Sequence, residues 1–116
     1  MYIAAYGTLQ SKFGRWEQLG MAGNCKVVGR VKLKGKLYQQ RWFPMLVKSD
    51  DPNDLVDAEL IEVVSDKAKI LSRLDYFEGH PDFFRREKFE VDGKEVISYI
   101  WPHSTDGYTR IEEFVG

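Results

Sequence analysis

Glu78 stands where local rules would not place an acid, at the end of the segment LDYFEG. Ile70, Leu71, Leu74 and Phe77 fall at helical spacing, Ser65 is a suitable N-cap, and Gly79 and Pro81 stop the pattern. The spacing therefore predicts a helix from about Asp66 to Phe77. Glu78 then sits at the negative end of the helix dipole, where a carboxylate is disfavoured by a few tenths to about 1 kcal/mol and Lys or Arg is expected. Asp75 adds like charge one turn earlier. Both effects raise the carboxyl pKa, as does partial burial beside Tyr76 and Phe77, and a raised pKa suits a base that must afterwards act as an acid. A site that breaks local rules is a place to look for function. The bland alternative is a solvated glutamate at a helix end.

The second candidate is the loop Tyr6, Gly7, Thr8, Leu9, which follows a short apolar run from Tyr2 to Ala5. Glycine admits positive φ, and successive free N–H groups after a strand can form a nest for a carboxylate or an oxyanion. Gly-Thr after a strand is equally an ordinary turn. Rival chemistries find less support. Cys25 with His80 or His103 has the residue types of a thiol pair, but Cys25 opens an apolar strand and reads as core. His80, in EGHPD, is the histidine nearer the Glu78 segment, and a loop histidine is commonly just solvated. No Gly-rich phosphate loop, HExxH or CxxC occurs. One cysteine and two separated histidines supply no structural zinc set, so no metal is expected. Asp50 with Asp51, and Glu112 with Glu113, fall in a turn and in the tail, and read as surface charge.

Several elements must bring the loop and Glu78 together. Arg15 to Met21 reads as a short helix packing Trp16 and Leu19, and Cys25 to Val31 and Gly35 to Tyr38 as two strands. Lys32, Lys34 and Lys36 alternate with Val31, Leu33 and Leu37, the pattern of a strand with one solvated face rather than a nucleic-acid surface. Phe43 to Lys48 is a further strand, with Pro44 at its start or on an edge. Ser49 to Asp54 is a turn. Leu55 to Val64 follows as a strand, with Val56, Ala58 and Leu60 on one side and Asp57, Glu59 and Ile61 on the other, so that Glu59 can face inward. Phe83 to Val91 and Lys94 to Trp101 flank Asp92 and Gly93, the signature of a type I′ hairpin. Pro102 to Gly116 reads as a polar tail with a few aromatic anchors. The elements together predict an α+β fold, a closed or partly closed barrel with helices on its flank.

With 116 residues, 43% apolar and 30% charged, the chain is expected to form a single domain, residues 1–116, of ordinary globular composition. Seventeen Lys and Arg against 18 Asp and Glu leave a net charge of -1, without the footprint of a nucleic-acid or anionic-membrane binder, so a small partner is expected. A lone cysteine excludes an internal disulfide framework and suits a reducing cytoplasm. Met1 to Ala5 lack a basic n-region and no apolar run approaches the roughly 20 residues of a membrane span, so neither export nor membrane insertion is expected.

YGTL near the start, LDYFEG far downstream, and then Phe84, Arg85 and Arg86 form an ordered combination that resembles the gamma-glutamylcyclotransferase-like superfamily. The length is similar to that of its gamma-glutamylamine cyclotransferase and AIG2-like branch. FPML at Phe43 to Leu46 is similar to the family's aromatic-proline stretch. Ala58 stands where members often carry Gly, and His80, Pro81 and Asp82 form a distinctive loop after the acidic motif. The resemblance implies a small mixed β-barrel with flanking helices and Glu78 as catalytic acid/base. It also implies that backbone groups of Tyr6, Gly7, Thr8 and Leu9 hold the glutamyl end of a substrate, with Pro44, Arg85 and Tyr99 as further pocket residues. For Arg85 the alternative is a surface ion pair, and for Tyr99 core packing. The implied reaction is attack of a substrate's own α-amine on its γ-carbonyl, releasing 5-oxoproline and a free amine without enzyme nucleophile, metal or cofactor. The implied partner is a small γ-glutamyl compound and the implied state a monomer. A catalytically silent ligand-binding domain of the same fold and a protein-interaction module on the aromatic surface are the alternatives.

Overall fold

The computed structural model describes Met1–Gly116. Its apolar and β-branched runs become β1 (Tyr2–Ala5), β2 (Cys25–Gln40), β3 (Phe43–Lys48), β4 (Leu55–Val63), β5 (Arg85–Val91), β6 (Lys94–Ile100) and β7 (Thr109–Ile111), with α1 (Lys67–Glu78) between β4 and β5. The sheet order is β3-β2-β4-β1-β6-β5, and β7 adds to β2. Pairing is antiparallel except between β1 and β6. Central β1 therefore carries buried Ile3, Ala4 and Ala5, with neighbours on both edges.

The sheet curls because β2 changes partners along its length. Cys25 to Lys34 pair with β4, whereas Gly35 to Gln40 pair with β3. The sequence suggested two strands here, and the structure makes one. Gly35 does not interrupt it but lets strands approach: a Cβ there would lie 2.7 Å from both Leu46 Cδ1 and the Val47 carbonyl oxygen. Beyond the end of β6, the Trp101 N–H donates to the Leu46 carbonyl at 2.8 Å, which draws β3, at one end of the sheet, against β6, next to the other end. The result is a curled half-barrel flanked by one α-helix, which seats Ile70 and Leu74 fully in the core. The α+β expectation holds, with a single α-helix where flanking helices were anticipated.

Other local expectations shift. Arg15 to Met21 form successive turns, not a helix, because Gly14 and Gly20 adopt left-handed φ of 74° and 73° at either end. The helix N-cap is Asp66 rather than Ser65, whose hydroxyl instead donates to Asn24 Oδ1 at 2.6 Å. Cys25 is only half-buried. The tail contributes β7, buries Phe114, and ties Arg110 to Asp54 at 2.8 Å. That bond, with one from Ser49, holds the Asp54 carboxyl below its ordinary range. Asp92 and Gly93 adopt φ of 50° and 78°, as a type I′ turn requires. Leu33 and Leu37 point into the core while Lys32 and Lys36 pair with Asp57 and Asp54 on the outer side. Glu59 does face inward, where its two oxygens accept from the N–H and hydroxyl of Ser11 at 2.7 and 2.9 Å. No helix is long and apolar enough to cross a membrane.

Candidate active site

At the end of β1 the chain leaves the sheet and opens a cavity. Ala4 to Leu9 form one wall, Phe43 and Pro44 of β3 a second, and Ser98 and Tyr99 of β6 a third, with Glu78 at the end of α1 and Phe84 completing it. The space, its open mouth included, is about 370 Å³.

Gly7 serves the loop by absence of bulk. Its φ is not positive, contrary to the conformational reason its sequence suggested. The Pro44 ring occupies the space instead: a Cβ on Gly7 would lie 2.7 Å from Pro44 Cγ. Within the loop the Gln10 N–H donates to the Gly7 carbonyl at 3.1 Å, while the N–H groups of Gly7, Thr8 and Leu9 donate to nothing else in the chain. Three amide donors on a cavity wall without internal partners can receive an anion or a developing oxyanion. The Trp16 indole N–H steadies the loop by donating to the Leu9 carbonyl at 2.9 Å.

Glu78 is the last residue of α1 and the cavity's one carboxylate. Its carboxyl is pushed up to about 7 by burial. Helix-end placement and Asp75 were expected to raise it, but Asp75 is engaged elsewhere. Arg86 forms an ion pair with Asp75 Oδ2, and the Tyr99 hydroxyl donates to Asp75 Oδ1 at 2.7 Å. Burial pushes the Tyr99 and Tyr6 hydroxyls far above their ordinary range, with further contributions from Asp75 at Tyr99 and from Glu78 at both. Tyr6 is also a strut: its hydroxyl donates to the Tyr99 carbonyl at 2.5 Å and accepts the Leu46 N–H at 3.3 Å.

The structure thus brings Tyr6, Gly7, Thr8, Leu9, Pro44, Glu78 and Tyr99 to one cavity. Arg85 is not among them. Strand alternation buries Phe84, exposes Arg85 and turns Arg86 toward Asp75, so the inward arginine is the neighbour of the expected one. His80 supports this arrangement, its Nδ1 accepting the Arg86 N–H at 2.9 Å. Sequence reasoning missed Ser98, which is buried and donates to the Ala4 carbonyl at 2.7 Å. A small polar residue inside the apolar run VISYIW was its available signal. Phe43 and Phe84 had been read only as part of strand or motif, and their place on the cavity wall depends on tertiary packing.

A family model described as gamma-glutamyl cyclotransferase, AIG2-like, matches residues 3–114. A protein of Methanocaldococcus jannaschii that provisionally carries the name gamma-glutamylcyclotransferase is 33% identical over 109 residues, 89% of this chain and 86% of its own. Among solved structures, an AIG2-like protein of Mus musculus has a similar fold, with a TM-score of 0.78 at 19% identity over 98% of this chain and 87% of that one. The protein ytfP of Escherichia coli has a TM-score of 0.69 at 22% identity, over 97% and 93% of the two chains.

Proposed function

The chain belongs to the AIG2-like gamma-glutamyl cyclotransferase family, and we propose that it converts a γ-glutamyl amide into 5-oxoproline and a free amine. The observation that carries this reading is the pairing, in one small cavity, of a carboxyl poised near 7 with three unpartnered backbone amides. A γ-glutamyl amide brings its own nucleophile. Holding its α-amine against its γ-carbonyl makes ring closure intramolecular, and such orientation contributes several kcal/mol to lowering a barrier, up to about 7–11.

Ionised Glu78 takes a proton from the α-ammonium. The freed nitrogen attacks the γ-carbon, the carbonyl oxygen gains negative charge, and the new C–N bond closes a five-membered ring. Glu78 then protonates the departing nitrogen, the oxyanion re-forms the carbonyl as the original amide C–N bond breaks, and Glu78, ionised again, takes the second proton from the ring nitrogen and passes it to the freed amine. Of the three protons on the α-ammonium, one stays on the lactam nitrogen and two end on the released amine. A carboxyl near 7 is matched to both halves of this transfer. The amides of Gly7, Thr8 and Leu9 supply donors to the α-carboxylate or the oxyanion, and one well-placed oxyanion donor is worth about 3 kcal/mol. Pro44 and Tyr99 shape the space around the glutamyl group.

The test is release of 5-oxoproline from a panel of γ-glutamyl amines and γ-glutamyl amino acids. Turnover by the wild type and a loss of at least about a hundredfold in Glu78→Gln are expected. Folded Glu78→Gln that retains most of the activity would overturn the role of Glu78, and a folded wild type inert on the whole panel would overturn the reaction.

A further inference from the structure

The cavity is small and its mouth is aromatic. Phe43 and Phe84 line it, and Phe83 meets both edge-on, with ring centroids 5.6 and 5.3 Å away. Trp101 backs all three, at 5.3 Å from Phe83, 5.5 Å from Phe84 and 6.2 Å from Phe43. Phe83 is 47% exposed and touches both lining rings, so the aromatic cluster reaches from the cavity wall to solvent. Its position is fixed against the acid/base. The Phe83 N–H donates to the Gly79 carbonyl at 2.9 Å and the Phe84 N–H to the Glu78 carbonyl at 3.1 Å. A Cβ on Gly79 would lie 2.8 Å from Phe83 Cβ. The loop of His80, Pro81 and Asp82 therefore spans from Glu78 to an exposed ring held beside it.

We propose that Phe43, Phe83 and Phe84 form the subsite for the departing amine, and that it selects amines carrying an apolar aryl-alkyl body. This rests on the cyclotransferase reading. With the glutamyl part held between the Gly7 to Leu9 amides and Glu78, the substituent on the amide nitrogen has to leave through the mouth, along these rings. No lysine, arginine or second acid lines the cavity to pair with a charged end of that substituent, whereas ring edges and faces there suit another aromatic group.

The experiment compares γ-glutamyl phenethylamide, γ-glutamyl methylamide and γ-glutamyl-ε-lysine. Turnover is measured on the wild type, and binding by calorimetry on Glu78→Gln. The phenethylamide is expected to exceed each of the others about tenfold in kcat/KM and in affinity. Phe83→Ala should collapse that ratio to within about threefold, Phe83→Leu should reduce it, and Phe83→Trp should keep it. Turnover of all three amides at similar kcat/KM would overturn the subsite while leaving the reaction. A binding preference for the phenethylamide without turnover of any amide would retain the subsite and overturn the reaction. Equal binding without turnover would remove both. If Phe83→Ala does not fold, an unchanged ratio in folded Phe83→Leu is sufficient to overturn the assignment.

Discussion

A carboxyl near 7 accepts a proton only when ionised, so kcat/KM for a γ-glutamyl amide should rise with pH through a midpoint of about 7. Arg86 is expected to hold that midpoint down through Asp75. It neutralises Asp75, which lies one helical turn before Glu78, and Tyr6 and Tyr99, the other titratable groups on the cavity wall, are held neutral by burial. Replacing Arg86 with Gln leaves Asp75 as an uncompensated negative neighbour and favours protonated Glu78. The midpoint should therefore move to higher pH, by roughly half a unit to one unit, with Arg86→Lys close to wild type. An unchanged pH profile in folded Arg86→Gln would show that Arg86 serves packing alone. The place of Glu78 at the end of a readable helix followed from spacing, whereas its reading as acid/base leaned on the resemblance. The origin of its raised pKa was not legible, because Asp75 finds its partner on β5, across a loop whose course no spacing rule reports. Arg85 and Arg86 could be told apart only after the start of β5 was fixed, since a shift of one residue exchanges the faces of a strand.

Loop and strand meet at Gly7 and Pro44, where sterics and conformational freedom make opposite predictions. A methyl group on Gly7 would have to displace the Pro44 ring, at 2.7 Å, and overpacking of this kind costs about 1–3 kcal/mol. Gly7→Ala should lower the midpoint of chemical denaturation and reduce kcat/KM by tenfold or more, since the displaced segment carries the free amides. Adding Pro44→Ala clears the space and should restore much of both losses. Were Gly7 required for an unusual backbone angle, that second change would bring nothing back. Elements with a local cause were the ones readable from sequence: the Asp92-Gly93 turn needs two positive φ values, and those residue types provide them. Arg15 to Met21 misled because Trp16 and Leu19 satisfy helical spacing, while the left-handed Gly14 and Gly20 convert the segment to turns. At Gly35 the error ran the other way, for a glycine that looks like a strand break is there to let β3 come close.

Across the whole molecule, the cavity lies where β3 and β6 are drawn together, and Tyr6 stands at that seam. Its hydroxyl joins β6 to β3 by bonding the Tyr99 carbonyl and the Leu46 N–H, beside the Trp101 to Leu46 bond. These contacts bridge residues far apart in the chain, so periodicity could predict strands but not their closure. The run of short strands suggested a closed or partly closed barrel, but not which strands would meet to close it. Tyr6→Phe keeps the ring in the core and removes only the bridge, leaving a buried donor and a buried acceptor unpaired, a cost of about 1–3 kcal/mol. Gly93→Ala is a control of similar size remote from the cavity, because alanine at a φ of 78° in the hairpin turn is strained by about 1–2 kcal/mol. Both variants should lower the denaturation midpoint. Only Tyr6→Phe should also lower kcat/KM, by several-fold, measured well below the unfolding temperature, because relaxing the seam moves Pro44, Tyr99 and the amide loop relative to Glu78. Equal losses of activity in the two variants would mean that turnover follows global stability and that closure has no separate part in shaping the site.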